Sequence, residues 1–284
     1  MLEFRRVSFR YPRQAHDAVR RVSFSVKRGE FVGILGADDA GKTTLAKLCN
    51  GQATPTDGQV LIAGVPAQPA AARNAGAFRV GVVLSDPENQ IVGATVEEDA
   101  AFGLGNLRVP PAEMRRRVDD MLERVGLRQY AKRAPHELSG GEQQKLCLAG
   151  VAVMRPDCLV LDEPLTFLDS RSRSEFQALL REMRQQGTTM LYLTSDLDEL
   201  ADAERILLLA HGEIQAEASP QTLWNAPELL AAAGIAAPDL LLFRHRLRER
   251  GCRIRDDSLT PETIAQDVAL FSSMKRREEC QILI

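Results

Sequence analysis

Apolar and polar residues alternate over 2–10 and again over 18–27, the period-two pattern of half-buried antiparallel strands. The run FVGILG at 31–36 has no polar face, which predicts a central strand covered on both sides. KTTLAKLCN, from Lys42 to Asn50, reads as a helix. QVLIAG (59–64) and RVGVVL (79–84) read as further strands. Met114, Val118, Met121, Leu122 and Val125 recur at helical spacing, with arginines and aspartates on the opposite, solvated face. CLVLDEP (158–164) opens as a buried strand. SEFQALLREMRQQG (174–187) is an amphipathic helix closed by Gly187, and TTMLYLTS (188–195) and RILLLA (205–210) are strands again. Strands alternating with helices predict a parallel sheet covered on both faces. Beyond about residue 227 the pattern changes to short helices and turns, which predicts a small C-terminal extension. The chain carries no internal repeat and no low-complexity segment.

At 284 residues and 44% hydrophobic content, the chain can bury a large core. A net charge of −3 gives no support for a nucleic-acid surface, so no nucleic-acid partner is expected. The start, MLEFRRVSFRYP, alternates like a strand and has no apolar leader region. The most apolar late stretch, LLAAAGIAAPDLLLF, is broken by Pro238 and Asp239 and falls short of the ~20 apolar residues that span a bilayer. Any membrane role is therefore expected to come through a partner. The five cysteines form no CxxC pair and their number is odd, so neither a disulfide framework nor a zinc site is expected. Cys147 and Cys158 sit among apolar residues and read as buried free thiols.

The chemistry begins at GADDAGKT, which fits GxxxxGK[ST] with Gly36, Gly41, Lys42 and Thr43. The stretch follows a buried strand and precedes a helix, as a phosphate-wrapping loop requires. Main-chain amides of Gly36, Ala37, Asp38, Asp39, Ala40, Gly41 and Thr44 and the helix N-terminus would face phosphate oxygens. Lys42 would reach the terminal phosphates, and the Thr43 hydroxyl would ligate Mg²⁺. Asp38 and Asp39 are unusual in such a loop. Because the cradle is main chain, they are expected to weaken nucleotide affinity without abolishing it; the alternative is that both point to solvent and do nothing. The loop alone leaves kinases, GTPases and helicases open.

LSGGEQQ at 138–144, together with LVLDEP at 159–164, resembles the ATP-binding cassette family. The resemblance covers roughly residues 1–225. It implies an α/β P-loop NTPase fold with an N-terminal antiparallel β subdomain, a helical signature subdomain at about 88–155 and a small C-terminal extension. The ATP-binding domain is then 1–227, and 228–284 an extension serving dimerisation. In that family the signature opens a helix whose amides clasp the γ-phosphate of a nucleotide held by the other subunit. Ser139, Gly140, Gly141 and Glu142 are thus expected to act in trans. By the same resemblance Asp162 holds Mg²⁺ through water, Glu163 is the general base for the attacking water, Leu168 and Asp169 belong to a dimer-contacting loop, and Tyr11 stacks on adenine. ATP and Mg²⁺ are the cofactors implied.

PENQIVGATVEEDAAFGLGN (87–106) is similar to a segment of energy-coupling factor transporter ATPases, importers of cobalt, nickel or B-type vitamins. There it receives the coupling helices of a transmembrane subunit. The stretch over 240–270 resembles their C-terminal extension, which joins two ATPases. The last dozen residues match no known pattern. The implied partners are a second cassette ATPase, a transmembrane coupling subunit and a substrate-binding membrane subunit, with the chain on the cytoplasmic face of the membrane.

Two positions depart from that family. The strand RVGVVL should end at a glutamine touching Mg²⁺ and the lytic water; this chain has Ser85, and Gln90 is assigned to the coupling surface. After TTMLYL the family places a histidine on the γ-phosphate; this chain has Ser195. A serine hydroxyl is short and uncharged and does not reach as an imidazole does. The signature is unaltered. The expectation is an ATPase with impaired activity in its own pocket that lends an intact signature to a second cassette. The alternatives are a non-hydrolysing regulatory ATP binder and a soluble cassette protein of DNA repair or translation; the latter usually carries coiled-coil insertions or basic linkers, and this chain shows neither.

Overall fold

The computed structural model describes residues 1–67, 80–256 and 263–272. Among them the strands form two sheets. The first is antiparallel and orders its strands β2-β1-β4-β5, with β1 at Leu2–Phe9, β2 at Val19–Val26, β4 at Asp57–Ile62 and β5 at Val65–Pro66. The second orders its strands β10-β9-β3-β8-β7-β6. Here β3 spans Phe31–Gly36, β6 Val80–Val83, β7 Cys158–Asp162, β8 Thr189–Thr194, β9 Arg205–Ala210 and β10 Glu213–Ala218. The strands from β6 to β9 run parallel, and β10 closes the edge antiparallel to β9.

The continuous apolar runs have a clear cause: each parallel strand feeds two cores. Phe31 and Leu35 of β3 face one cluster together with Leu159, Leu161, Met190 and Tyr192. Val32 and Ile34 face the other together with Val160, Leu191 and Leu193. The second face is covered by helix α1 (Lys42–Cys49) and the antiparallel sheet. The first face is covered by α2 (Val96–Asn106), α3 (Pro111–Arg124), α4 (Gly140–Ala152) and α5 (Ser170–Gln185). Short helices follow: α6 (Pro220–Asn225), α7 (Pro227–Ala232), α8 (Asp239–Glu249) and α9 over 263–272. No helix among the described residues is long and apolar enough to cross a membrane.

The expected strands all occur, β3 and β9 with the expected ends and the others with shifted ones. The 59–64 strand starts at Asp57 and stops at Ile62, because Ala63 and Gly64 both take positive φ (51° and 82°) to turn into β5. Helix α5 begins at Ser170, four residues before the expected start at 174, because the Asp169 side chain caps it by accepting from the Ser172 amide at 2.7 Å. Gly187 closes it at φ 86°, as expected. Helix α2 and strand β10 escaped the pattern. Gly103 and Gly105 interrupt α2, while β10 is an edge strand with half-exposed residues. Cys49, Cys147 and Cys158 are buried free thiols. Arg79, Cys280 and the last dozen residues lie outside the described ones.

The C-terminal segment is fastened by a buried cation. Arg244 of α8 is 2% exposed. Its guanidinium donates to the Trp224 carbonyl, to Asn225 Oδ1 at 2.9 Å and to the Asp256 carbonyl at 3.4 Å. The planar, multi-donor head suits three acceptors at once. We expect Arg244→Met to remove the guanidinium from the Trp224 and Asp256 carbonyls, Asn225 Oδ1 keeping its bond from Arg248 at 3.0 Å, and to cost about 3 kcal/mol. Urea unfolding followed by the fluorescence of Trp224, the single tryptophan of the chain, should report it as earlier loosening of this region.

Candidate nucleotide site

Strand register builds the site. In the parallel sheet Leu35 stands opposite Thr194, Asp162 opposite Leu193 and Val83 opposite Leu161. The carboxyl ends of β3, β6, β7 and β8 therefore open at one edge, where the connections of an open α/β sheet form a crevice. Gly36, Ser85, Glu163 and Ser195 follow from those four ends.

The loop after β3 requires glycine at two points. A Cβ at Gly36 would stand 2.8 Å from the Leu209 carbonyl oxygen. Gly41 has φ 107°, and a Cβ there would stand 2.5 Å from the Ala18 carbonyl oxygen. Lys42 opens α1 at 6% exposure. Its ammonium donates to the carbonyls of Gly36 (2.7 Å) and Ala37 (2.9 Å). It also lies 3.1 Å from Glu163 Oε1, a charge contact without hydrogen-bond alignment. Ala40 is buried, and Asp38 and Asp39 are exposed. The Asp38 side chain is 98% exposed, and its Oδ1 stands 4.0 Å from Lys42 Nζ. Asp39 takes φ 60°, a conformation aspartate tolerates better than most residues. Thr43 is exposed, and buried Thr44 places Oγ1 3.2 Å from the Tyr11 hydroxyl. Tyr11 is thus tethered to the first turn of α1, its ring edge-on to Phe9 at 4.9 Å.

Asp162 ends β7 fully buried, and neither carboxylate oxygen makes an aligned hydrogen bond. Burial pushes its pKa up; the Thr43 hydroxyl and Lys42 pull it down, and Glu163 adds to the rise. A buried, unsatisfied carboxylate beside a hydroxyl suits a hydrated divalent cation. No group of three or more His, Cys, Asp or Glu side chains that could hold a metal occurs among the described residues. Glu163 takes φ 48°, a left-handed setting that costs a non-glycine residue, held by its amide donating to the Leu193 carbonyl at 2.9 Å. Its Oε2 accepts from the Thr166 hydroxyl at 3.4 Å and lies 3.3 Å from the Thr194 hydroxyl oxygen.

At the β6 end half-exposed Gln90 turns its carboxamide toward the strand, a contact its spacing did not show. Oε1 accepts from the Leu84 amide at 2.9 Å, and Nε2 donates to the Val82 carbonyl at 3.1 Å. Gln144 of α4, 2% exposed, donates to the Leu84 carbonyl at 3.0 Å. Two glutamines therefore hold the turn that carries Ser85. Ser195 is exposed at the end of β8.

The signature stretch stands apart. Ser139 caps α4 in a reciprocal box: its Oγ accepts from the Glu142 amide at 3.4 Å, and Glu142 Oε2 accepts from the Ser139 amide at 2.9 Å. Gly140 is exposed. A Cβ on Gly141 would stand 2.9 Å from Ser172 Oγ, so the turn packs on the start of α5. Among the described residues, no hydrogen bond or ion pair of Ser139–Glu142 reaches the phosphate loop. Sequence reasoning overlooked Thr194 and Glu199, which contact each other beside Glu163. Their signal was a hydroxyl at a strand end followed by an acid one helical turn on.

The ABC transporter family profile matches residues 19–166. The cobalt import ATP-binding protein CbiO of Syntrophus aciditrophicus is 37% identical over 273 residues, covering 96% of this chain and 98% of that protein. The energy-coupling factor transporter ATP-binding protein EcfA1 of Enterococcus faecalis is 39% identical over 266 residues, covering 92% and 94%. Among solved structures, cbiO1 from Clostridium perfringens, described as part of the ABC transporter complex cbiONQ, superposes with TM-score 0.69 at 29% identity over 86% of this chain and 98% of its own. The post-hydrolysis dimer of the cassette MJ0796 bound to ADP and Pi superposes with TM-score 0.70 at 26% identity, covering 78% and 99%.

The exposure of Asp38 limits its electrostatic effect, because water and salt screen it. We expect Asp38→Asn to tighten ATP binding only about twofold, with the gain shrinking as salt rises. Displacement of a fluorescent nucleotide measures both.

Proposed function

Since this chain belongs to the ABC transporter family, we propose that it is the ATP-binding subunit that powers uptake of a small substrate, a transition metal ion or a vitamin, by a transporter of the energy-coupling factor type. The names and near full-length similarity of the CbiO and EcfA1 relatives support this reading. The chain acts at the cytoplasmic face of the membrane, attached through a transmembrane coupling subunit and working beside a substrate-binding membrane subunit.

The observation that carries the mechanism is the crevice at the ends of β3, β6, β7 and β8. The loop from Gly36 to Thr44 holds the ATP phosphates with its amides, Lys42 neutralises the terminal ones and Tyr11 stacks on the base. Thr43 and buried Asp162 would hold Mg²⁺ together with phosphate oxygens, and the ion would supply charge neutralisation at the transferred phosphate. Glu163 takes the proton of the attacking water. Its contact with Lys42 keeps it directed at the phosphate loop.

Ser85 and Ser195 replace the longer amide and imidazole groups at two of these strand ends. Each lost contact to a transition state weakens catalysis by about a hundredfold, and losses at coupled positions need not add. The chain's own pocket is therefore weakly hydrolytic. The signature stretch is intact, capped and exposed, and it serves a second cassette whose own pocket is complete. The partner is a heterologous ATPase, and the 228–284 extension contributes to the pairing.

Three measurements test this. The purified chain alone should hydrolyse ATP slowly, and addition of the companion cassette should raise turnover about a hundredfold or more. Gly141→Asp, which puts bulk and negative charge on the signature turn, should remove most of the mixed rate. Glu163→Gln should leave the mixed rate nearly unchanged. Brisk turnover by the chain alone, or collapse of the mixed rate on Glu163→Gln, would overturn the division of labour.

A further inference from the structure

One buried carboxylate beside the pocket has no part in the scheme above. Glu199 lies in the 3-10 turn Leu197–Leu200 that follows β8, with its side chain 7% exposed. Its Oε2 accepts from the Thr194 hydroxyl at 2.8 Å and from the Tyr192 hydroxyl at 3.1 Å. Its Oε1 stands 3.6 Å from the Arg173 guanidinium of α5. The same Thr194 oxygen lies 3.3 Å from Glu163 Oε2 and accepts from the Asp196 amide at 3.1 Å. Thr194 is fully buried and has one hydroxyl proton, yet two carboxylate oxygens within reach. It can donate to only one of them at a time.

We propose that Glu199 is a positioning residue for Glu163, acting through Thr194: the proton state of Glu199 decides which carboxylate receives the Thr194 hydrogen bond. With Glu199 ionised, Thr194 donates to Glu199, and Glu163 keeps a free lone pair for the water proton. With Glu199 protonated, its O–H donates to Thr194, which still accepts from Asp196 and now turns its own proton to Glu163 Oε2. Every lone pair of Thr194 is used in this second arrangement, and no buried donor is stranded. This inference rests on the reading of Glu163 as the base of the chain's own pocket.

The surroundings allow the exchange near neutrality. Burial is the main cause that pushes Glu199 up, to about 7; the Thr194 hydroxyl opposes it, Asp196 adds to it, and Tyr192 and Arg173 oppose it. A cavity of about 190 Å³ opens beside Glu199, lined also by Arg181 and Arg184 of α5 and by Asp198 and Asp202. A space of that size, lined in part by charged side chains, has room for water to reach the buried carboxyl. Raising the pH through about 7 thus moves the Thr194 hydrogen bond from Glu163 to Glu199.

The test is a carbon-13 NMR titration of the full-length chain with labelled glutamate carboxyls. Signals are assigned by their loss in Glu163→Gln and Glu199→Gln. We expect the Glu199 carboxyl to titrate near 7 and the Glu163 signal to show an inflection at the same midpoint. In Thr194→Val, of the same shape but without the hydroxyl, Glu199 should still titrate while the Glu163 inflection disappears; Thr194→Ser should restore it. A Glu163 signal that ignores Glu199, or follows it equally in Thr194→Val, would overturn the proposal. ATP turnover by the chain alone gives a second readout. Glu199→Gln, whose carboxamide carries no titrating proton, should abolish any rate change near pH 7. If Glu163→Gln leaves that turnover untouched, the assignment of the base fails; the NMR coupling stands or falls separately.

Discussion

Hydrogen bonding between parallel strands fixes which residues stand level, and the pairing of Leu35 with Thr194 and of Asp162 with Leu193 is the arrangement on which the pocket depends. A slip by one residue would exchange the two faces of a strand, moving Leu161 and Tyr192 out of one core and Val160 and Leu193 out of the other. Both faces are buried against helices or sheet, so such a slip is heavily penalised. The cores thereby hold the strand ends, and the strand ends hold the chemistry. This is why small polar groups can work at fixed separations on loops that have little packing of their own.

Within that frame the charges are balanced by contact. Lys42 is held between two loop carbonyls and Glu163, while Asp162 lies buried beneath with no aligned partner. A buried ammonium and a buried carboxylate are each costly alone; in the proposed site, bound phosphate and its counter-ion would join them in one electrostatic unit. Glu163 sits in left-handed backbone, and the amide bond to Leu193 over-determines it. The strain falls at the residue to which the chemistry is assigned, as is common at active sites. The signature turn follows another logic: its polar groups are satisfied among themselves in the Ser139–Glu142 box, leaving the start of α4 open to an outside phosphate.

Some of the site was legible from spacing. The glycines of the loop, the aspartate and glutamate after an apolar strand, and the serine before two glycines each occupy a fixed place in a short motif. Gln90 shows what spacing did not reveal. Its polarity and position between a strand and a helix fit a surface role, yet its carboxamide meets the free backbone groups of Val82 and Leu84. Backbone left unpaired at a strand end attracts the nearest amide, and that demand depends on where the strand stops. Helix α2 escaped because its glycines weaken the periodic signal, while burial of Val96, Ala100 and Leu104 supplies the stability that propensity lacks.

Most sheet strands and the glycine-rich loop were legible in the chain alone, because each is a local property of residue type, period and order; that Ser85 and Ser195 stand where longer side chains are expected came from the family resemblance. The tertiary structure alone decided that Lys42 meets Glu163, that Asp162 is fully enclosed, and that Thr194 stands between Glu163 and Glu199. Thr194 and Glu163 stand 31 positions apart in the chain, and Lys42 and Glu163 follow different strand ends; both pairs meet only once the parallel register has drawn separate strands to a common edge. Proximity across the fold, and the loss of water that goes with it, is a property no short stretch of chain can encode.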